Sequence, residues 1–175
     1  MDISMSEIEN VKSEKFKTGV VMDPISGIKT YKDSTFAMLL EAQRRGHALY
    51  YMEPGDLFAK DGRVLARMQQ LQVRDNTTDW FSLAPLGSKP LDELDIVLMR
   101  RDPPFDMDYI YTTYMLELAE KAGTLVINRP QSLRDANEKF FINHFPQCCV
   151  PMIISSVSAQ IREFVLQHGR CVVKP

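Results

Sequence analysis

Three charged residues, Arg100, Arg101 and Asp102, follow the apolar run Ile96 to Met99 and precede Pro103 and Pro104. The run predicts a short strand covered on both faces. Arginine pairs a carboxylate or phosphate through a planar fork of donors, and an aspartate beside it can orient that fork or hold an ammonium. In open α/β sheets, ligands bind at the carboxyl ends of the strands, which is where these side chains emerge. The same residues also read as a solvated strand exit with an Arg–Asp surface pair of little energetic value. Each proline fixes its own φ and restricts the residue before it, so the segment from Arg101 to Phe105 is expected to be stiff and extended.

A second group lies nearer the start of the chain. Asp23 follows a strand-like stretch, Phe16 to Met22, and Ser34 and Thr35 open an amphipathic run that reaches Arg45 before Gly46. Ser34 is expected to cap a helix there and Gly46 to end it. The exposed amides of a helix start suit a carboxylate or phosphate, and Lys29 and Lys32 add positive charge to the preceding loop. Simple capping without a ligand is the plainer alternative. The loop carries no GxGxxG, which disfavours a nicotinamide enzyme.

These groups need a scaffold. His47 to Glu53 reads as a second strand, joined through the helix and parallel to the first. Asp61-Gly62 between two strand-like runs signals a hairpin, an antiparallel addition to the sheet. Trp80 is assigned to packing, and Pro85 to Asp92 to a loop. From Met107 to Gly123 the residues Ile110, Tyr111, Tyr114, Met115, Leu118 and Ala119 recur at helical spacing, and they are expected to face the core. Thr124 to Asn128 reads as the next strand, and Pro130 is expected to break the chain after it. Residues 16–134 thus form an α/β domain: a mostly parallel sheet flanked by helices, with an added hairpin.

Residues 135–175 read as the incomplete opening of a second domain. A short helix capped by Asp135 or Asn137 runs to Phe145, a strand covers Cys149 to Ile154, a helix runs from Ser156 or Ser158 to Gln167, and a last strand covers Cys171 to Lys174. This opening leaves an apolar face uncovered. Residues 1–15 are polar, lack the apolar core of a signal peptide and read as a disordered extension.

Composition narrows the partners. The 175 residues are 45% hydrophobic and 25% charged, with a net charge of −2. No basic field recommends nucleic acid or an anionic membrane, and no apolar run reaches the ~18 residues of a membrane span. An odd number of cysteines, Cys148, Cys149 and Cys171, argues against a disulfide framework and for the cytoplasm. No Cys/His cluster has metal spacing, and His47, His144 and His168 stand alone in structural or surface roles.

Five longer stretches carry a resemblance: VMDP at 21–24, KDSTFAMLLEAQRRGH at 32–47, YYMEPGDL at 50–57, LMRRDPPFD at 98–106 and NRPQSLRDANEK at 128–139. In this order and spacing the chain, from about Gly19 to Pro175, resembles the amino-terminal part of bacterial glutathione synthetase, an ATP-grasp ligase. The resemblance implies a Rossmann-like pre-ATP-grasp domain followed by the truncated start of an ATP-grasp domain. It implies ATP-dependent ligation of γ-glutamylcysteine to glycine through an acyl phosphate, with magnesium, in a homo-oligomer. Arg100 would then pair a substrate carboxylate, the Ser34-Thr35 helix start would take another anionic end, and Asp23 and Asp102 would orient an ammonium or the arginines. Lys139 and Lys174 match positions resembling nucleotide ligands. The family's magnesium ligands lie beyond this sequence, so no catalytic or metal residue is assigned within it, and the chain alone is expected to be inactive. A remnant that binds γ-glutamylcysteine or glutathione without turnover, or an interaction module, is the alternative.

Overall fold

The computed structural model describes residues 15–137 and 139–174. The extension expected over residues 1–15 therefore lies, apart from Lys15, outside the described residues. The chain divides into one unit ending at Arg134 and another beginning at Asp135.

In the first unit the chain runs β1 (Lys17–Met22), α1 (Ser34–Arg44), β2 (Ala48–Met52), β3 (Leu57–Lys60), β4 (Arg63–Val73), β5 (Phe81–Pro90), β6 (Ile96–Arg100), α2 (Met107–Lys121), β7 (Leu125–Ile127) and α3 (Pro130–Asp135). One sheet has the order β3-β4-β2-β1-β6-β7, with β5 on β4. Neighbours from β2 through β1 and β6 to β7 are parallel. The long β4 is antiparallel to β2, β3 and β5. The sheet is therefore mixed rather than mostly parallel. The stretch read as loop from Pro85 to Asp92 supplies most of β5, because an edge strand tolerates proline where no ladder hydrogen bond needs its missing N–H.

Alternation along β1 divides the core in two. Val21 points to one face with Val97, Met99 and Val126, where Tyr109, Leu116 and Ala119 of α2 cover them. Val20 and Met22 point to the other with Leu49, Tyr51 and Leu71, where Phe36 and Leu39 of α1 cover them. Both helices end in the same way. Gly46 and Gly123 take positive φ, and the residue after each donates its N–H to a carbonyl five residues back, a Schellman close. The Asp61-Gly62 hairpin forms as expected, with φ positive at both residues and Lys60 paired to Arg63.

Three local expectations change. Asp33, not Ser34, caps α1, its Oδ1 accepting the Phe36 N–H at 2.7 Å. Strand β6 is buried on one face only, at Val97 and Met99, because no helix fully covers its other side. Helix α2 is turned part-way from the expected face: Ala119 is buried and Met115 packs against the core as expected, but Tyr109, Thr112, Thr113 and Leu116 complete the buried side, whereas Tyr111, Tyr114 and Leu118 are exposed. The two buried threonines need no outside partner, since their hydroxyls donate to the carbonyls of Asp108 and Ile110. Pro130 opens α3 rather than breaking the chain, a position that suits its fixed φ.

The second unit contains the helix α4 (Ser158–His168), ended by Gly169 at φ 73°. In place of the helix expected up to Phe145 there is a 3-10 turn at Phe141–His144. No strand forms at 149–154 or 171–174, because neither segment has a neighbour to complete a ladder. Among the described residues from 135 on, none is buried.

Candidate functional site

The parallel strands β1 and β6 are adjacent, yet the chain leaves them in opposite directions. From β1 it passes through α1 to β2 on one side, and from β6 through α2 to β7 on the other. The crevice outside their carboxyl ends is a topological switch point, where open α/β sheets hold ligands. Five of the residues singled out in the sequence converge there.

Arg100, the last residue of β6, lies in register with Met22 at the end of β1. Its guanidinium crosses to the start of α1, Nε donating to Thr35 Oγ1 at 2.9 Å and Nη2 to Ser34 Oγ at 3.0 Å. Guanidinium has five N–H donors. The two bonds leave Nη1 and one N–H of Nη2 for another acceptor. Asp23, one residue past β1, accepts the backbone N–H of Asp102 at 2.8 Å through Oδ2, which carries the pairing of β1 and β6 beyond the strand ends. The Asp102 carboxylate makes no hydrogen bond to another described residue, and both aspartates are exposed. One small area thus offers fixed cationic donors, the positive end of a helix and two carboxylates.

The surroundings hold these groups still. Tyr51, in β2, accepts the buried N–H of Ile25 at 3.2 Å and donates to Glu53 Oε1 at 2.7 Å, tying the loop after Asp23 to the sheet. Burial, then the bond to Glu53, raises the Tyr51 phenol above its ordinary range, so it stays protonated. On the far side Arg101 is mostly buried, facing Asp106 at 3.6 Å and the ring of Tyr109 at 5.8 Å. Asp106 in turn caps α2 through the Tyr109 N–H. The segment between them bends at Pro103, so it is not extended throughout. Sequence reasoning missed Tyr51 and Asp33, and it did not foresee that Arg101 turns inward. A tyrosine inside an apolar strand, followed two residues later by Glu, was the available signal for the first.

Lys139 and Lys174 both lie in the second unit and are exposed. Lys139 follows Asn137, whose side chain caps a turn by accepting the N–H groups of Lys139 and Phe140. A lysine ammonium is a point charge of the kind that suits phosphate. Among the described residues no group of three or more His, Cys, Asp or Glu could hold a metal ion. They do not fit a magnesium centre, and no step through magnesium is assigned to them.

Comparison with known proteins gives these observations a family. Residues 16–134 match the model of the prokaryotic glutathione synthetase amino-terminal domain. The glutathione synthetases of Coxiella burnetii and Pseudomonas aeruginosa are 50% and 52% identical over 159 residues, 91% of this chain and 50% of each relative. That of Escherichia coli K12 is 49% identical over the same length. The chain spans about half the length of these relatives. With a domain-length match and half of all aligned positions identical, the chain belongs to the prokaryotic glutathione synthetase family.

Proposed function

We propose that the crevice between β1 and β6 is part of a peptide site for γ-glutamylcysteine and glutathione, and that the chain contributes it to ATP-dependent ligation of γ-glutamylcysteine with glycine. Arg100 carries this reading, because it is pinned across the switch point by two hydroxyls yet keeps donors free. Those donors and the start of α1 with Ser34 and Thr35 would take substrate carboxylates. Asp102 would take an ammonium, with Asp23 fixing the backbone beneath it. A carboxylate is a poor electrophile until one oxygen becomes a good leaving group. In the full reaction ATP, with magnesium, would convert the cysteinyl carboxylate to an acyl phosphate, and the glycine amine would displace phosphate. The crevice would contribute positioning and charge neutralisation. Lys139 and Lys174 would neutralise nucleotide phosphates.

Binding, rather than turnover, is the activity we assign to these 175 residues by themselves. Lys139 and Lys174 would supply charge for phosphate, and no metal step is assigned to the described residues. The site is cytoplasmic chemistry on small molecules, with neither nucleic acid nor membrane as partner. Calorimetry with γ-glutamylcysteine and with glutathione tests the reading. A charge-assisted hydrogen bond contributes about 1.5–3 kcal/mol, so Arg100→Ala is expected to weaken binding roughly ten- to a hundredfold. An unchanged affinity in that variant, or no binding of either peptide to the wild-type chain, overturns the assignment. ADP release with ATP, magnesium and both amino substrates is expected to be absent; release dependent on both would show that the chain also carries the phosphoryl-transfer step.

A further inference from the structure

Two arginines of the first unit are buried to nearly the same depth and are held very differently. The Arg134 side chain is 12% exposed, and its guanidinium donates to Thr113, Glu117 and Gln131 while lying over the ring of Tyr114. A buried guanidinium supports a fold when its donors are matched in this way. The Arg101 side chain is 14% exposed, yet its guanidinium makes no hydrogen bond to a described residue. Nη1 is buried without an acceptor, Nη2 stands 3.6 Å from Asp106 Oδ1, and the Tyr109 ring is 5.8 Å away. The same Asp106 Oδ1 already accepts the Tyr109 N–H, so the cap of α2 is complete without Arg101. Little holds this guanidinium beside α2, and its unpaired donor makes the position a costly one.

The backbone of Arg101 lies at the crevice. It stands between Arg100, in register with Met22 at the end of β1, and Asp102, whose N–H is bonded to Asp23. γ-Glutamylcysteine has two carboxylates. Arg100 is bonded to Ser34 and Thr35, so its guanidinium and the start of α1 converge on one place and make one carboxylate pocket. We propose that Arg101 is the receptor for the second carboxylate, turned inward in the free protein and outward onto the peptide when it binds. With the residues on either side fixed, rotation of the long side chain is enough to bring the charge from beside α2 into the crevice. The move exchanges a loose ion pair and an unpaired donor for a charge-assisted hydrogen bond. This role rests on the crevice being the peptide site, and it adds a selectivity for peptides with both carboxylates over those with one.

Calorimetric titration of the 175-residue chain, Arg100→Ala and Arg101→Met tests it with three ligands: γ-glutamylcysteine and its two monoamides, one amidated at the glutamyl α-carboxylate and one at the cysteinyl carboxylate. Each monoamide is expected to bind the wild-type chain roughly ten- to a hundredfold more weakly than the dicarboxylate. Arg101→Met should weaken the dicarboxylate by a similar factor and leave one monoamide unchanged, the one lacking the carboxylate that Arg101 holds. Arg100→Ala should leave the other unchanged. The thermal midpoint of Arg101→Met should equal or exceed that of wild type, because methionine keeps much of the packing of the arginine stem and removes the unpaired donor. Arg101→Met binding the dicarboxylate as wild type does overturns the proposal and leaves the peptide site standing. An equal loss for all three ligands, with a lowered midpoint, also overturns it, because Arg101 would then support the loop rather than meet a carboxylate. A wild-type chain that binds none of the three overturns the peptide site and this role together.

Discussion

Tyr51 shows what one side chain does for the crevice. Its hydroxyl is the partner of a buried backbone donor, the Ile25 N–H, and a donor to Glu53. Tyr51→Phe keeps the ring in the core and removes both bonds, which leaves the Ile25 N–H buried without an acceptor. Such a loss costs about 1–3 kcal/mol. Urea denaturation is expected to show a lowered midpoint with an unchanged slope, and peptide binding should weaken because the loop after Asp23 is released. A midpoint equal to wild type would mean that the loop holds its place without Tyr51. Asp23, Ser34, Thr35, Arg100 and Asp102 were legible as candidates, since a charged or hydroxyl residue past a strand end or at a helix start is a local signal, and the fold brings the five together. Tyr51 was not legible in that way. Its partners lie 26 residues back and two residues on, and only the parallel register of β1 and β2 brings the first of them near.

The cap of α1 turns on a distinction that sequence rules leave open at the scale of the element. Asp33 and Ser34 are both good capping residues. The backbone decides between them: Asp33 is extended at φ −81° and ψ 120°, and its carboxylate reaches the Phe36 N–H. Ser34 is already helical, which turns its hydroxyl toward Arg100. The two substitutions therefore separate. Asp33→Ala is expected to destabilise the chain by about 1 kcal/mol. Ser34→Ala should leave thermal stability near wild type and act on peptide affinity instead. Calorimetric unfolding and binding titrations on the pair check this, and equal stability losses would contradict the assignment. Element existence was the readable part: β1, β2, β6, β7, α1 and α2 all occur close to where pattern placed them. Element orientation was not readable. Hydrophobic periodicity located α2 and placed Ala119 and Met115 toward the core, but it put Tyr111, Tyr114 and Leu118 there too, because Thr112 and Thr113 satisfy their hydroxyls on the helix's own carbonyls and pack as small residues against the sheet. Likewise Pro85 and Pro90 disguised β5, since proline argues against a central strand but not an edge.

The two units differ in kind at the scale of the whole molecule. Through Arg134 the chain buries both faces of its central strand β1, while from 135 on no described residue is buried and Phe140, Leu166 and Val172 stand exposed. The strands expected at 149–154 and 171–174 were sound readings of composition that failed for want of a partner: a β-pattern records a preference, and a strand exists only when a neighbour supplies the other half of its ladder. Opening free energy follows burial and hydrogen bonding. Hydrogen exchange of the 175-residue chain should accordingly show strong protection in β1, β2 and β6 and weak protection throughout 135–174, α4 included. Limited proteolysis should trim the chain to a fragment ending near Arg134 that still binds peptide through Arg100. Slow exchange in α4, comparable to that in β1, would mean that the apolar residues of the second unit find cover in solution, and the first unit could then no longer be treated as the one stable body in this chain.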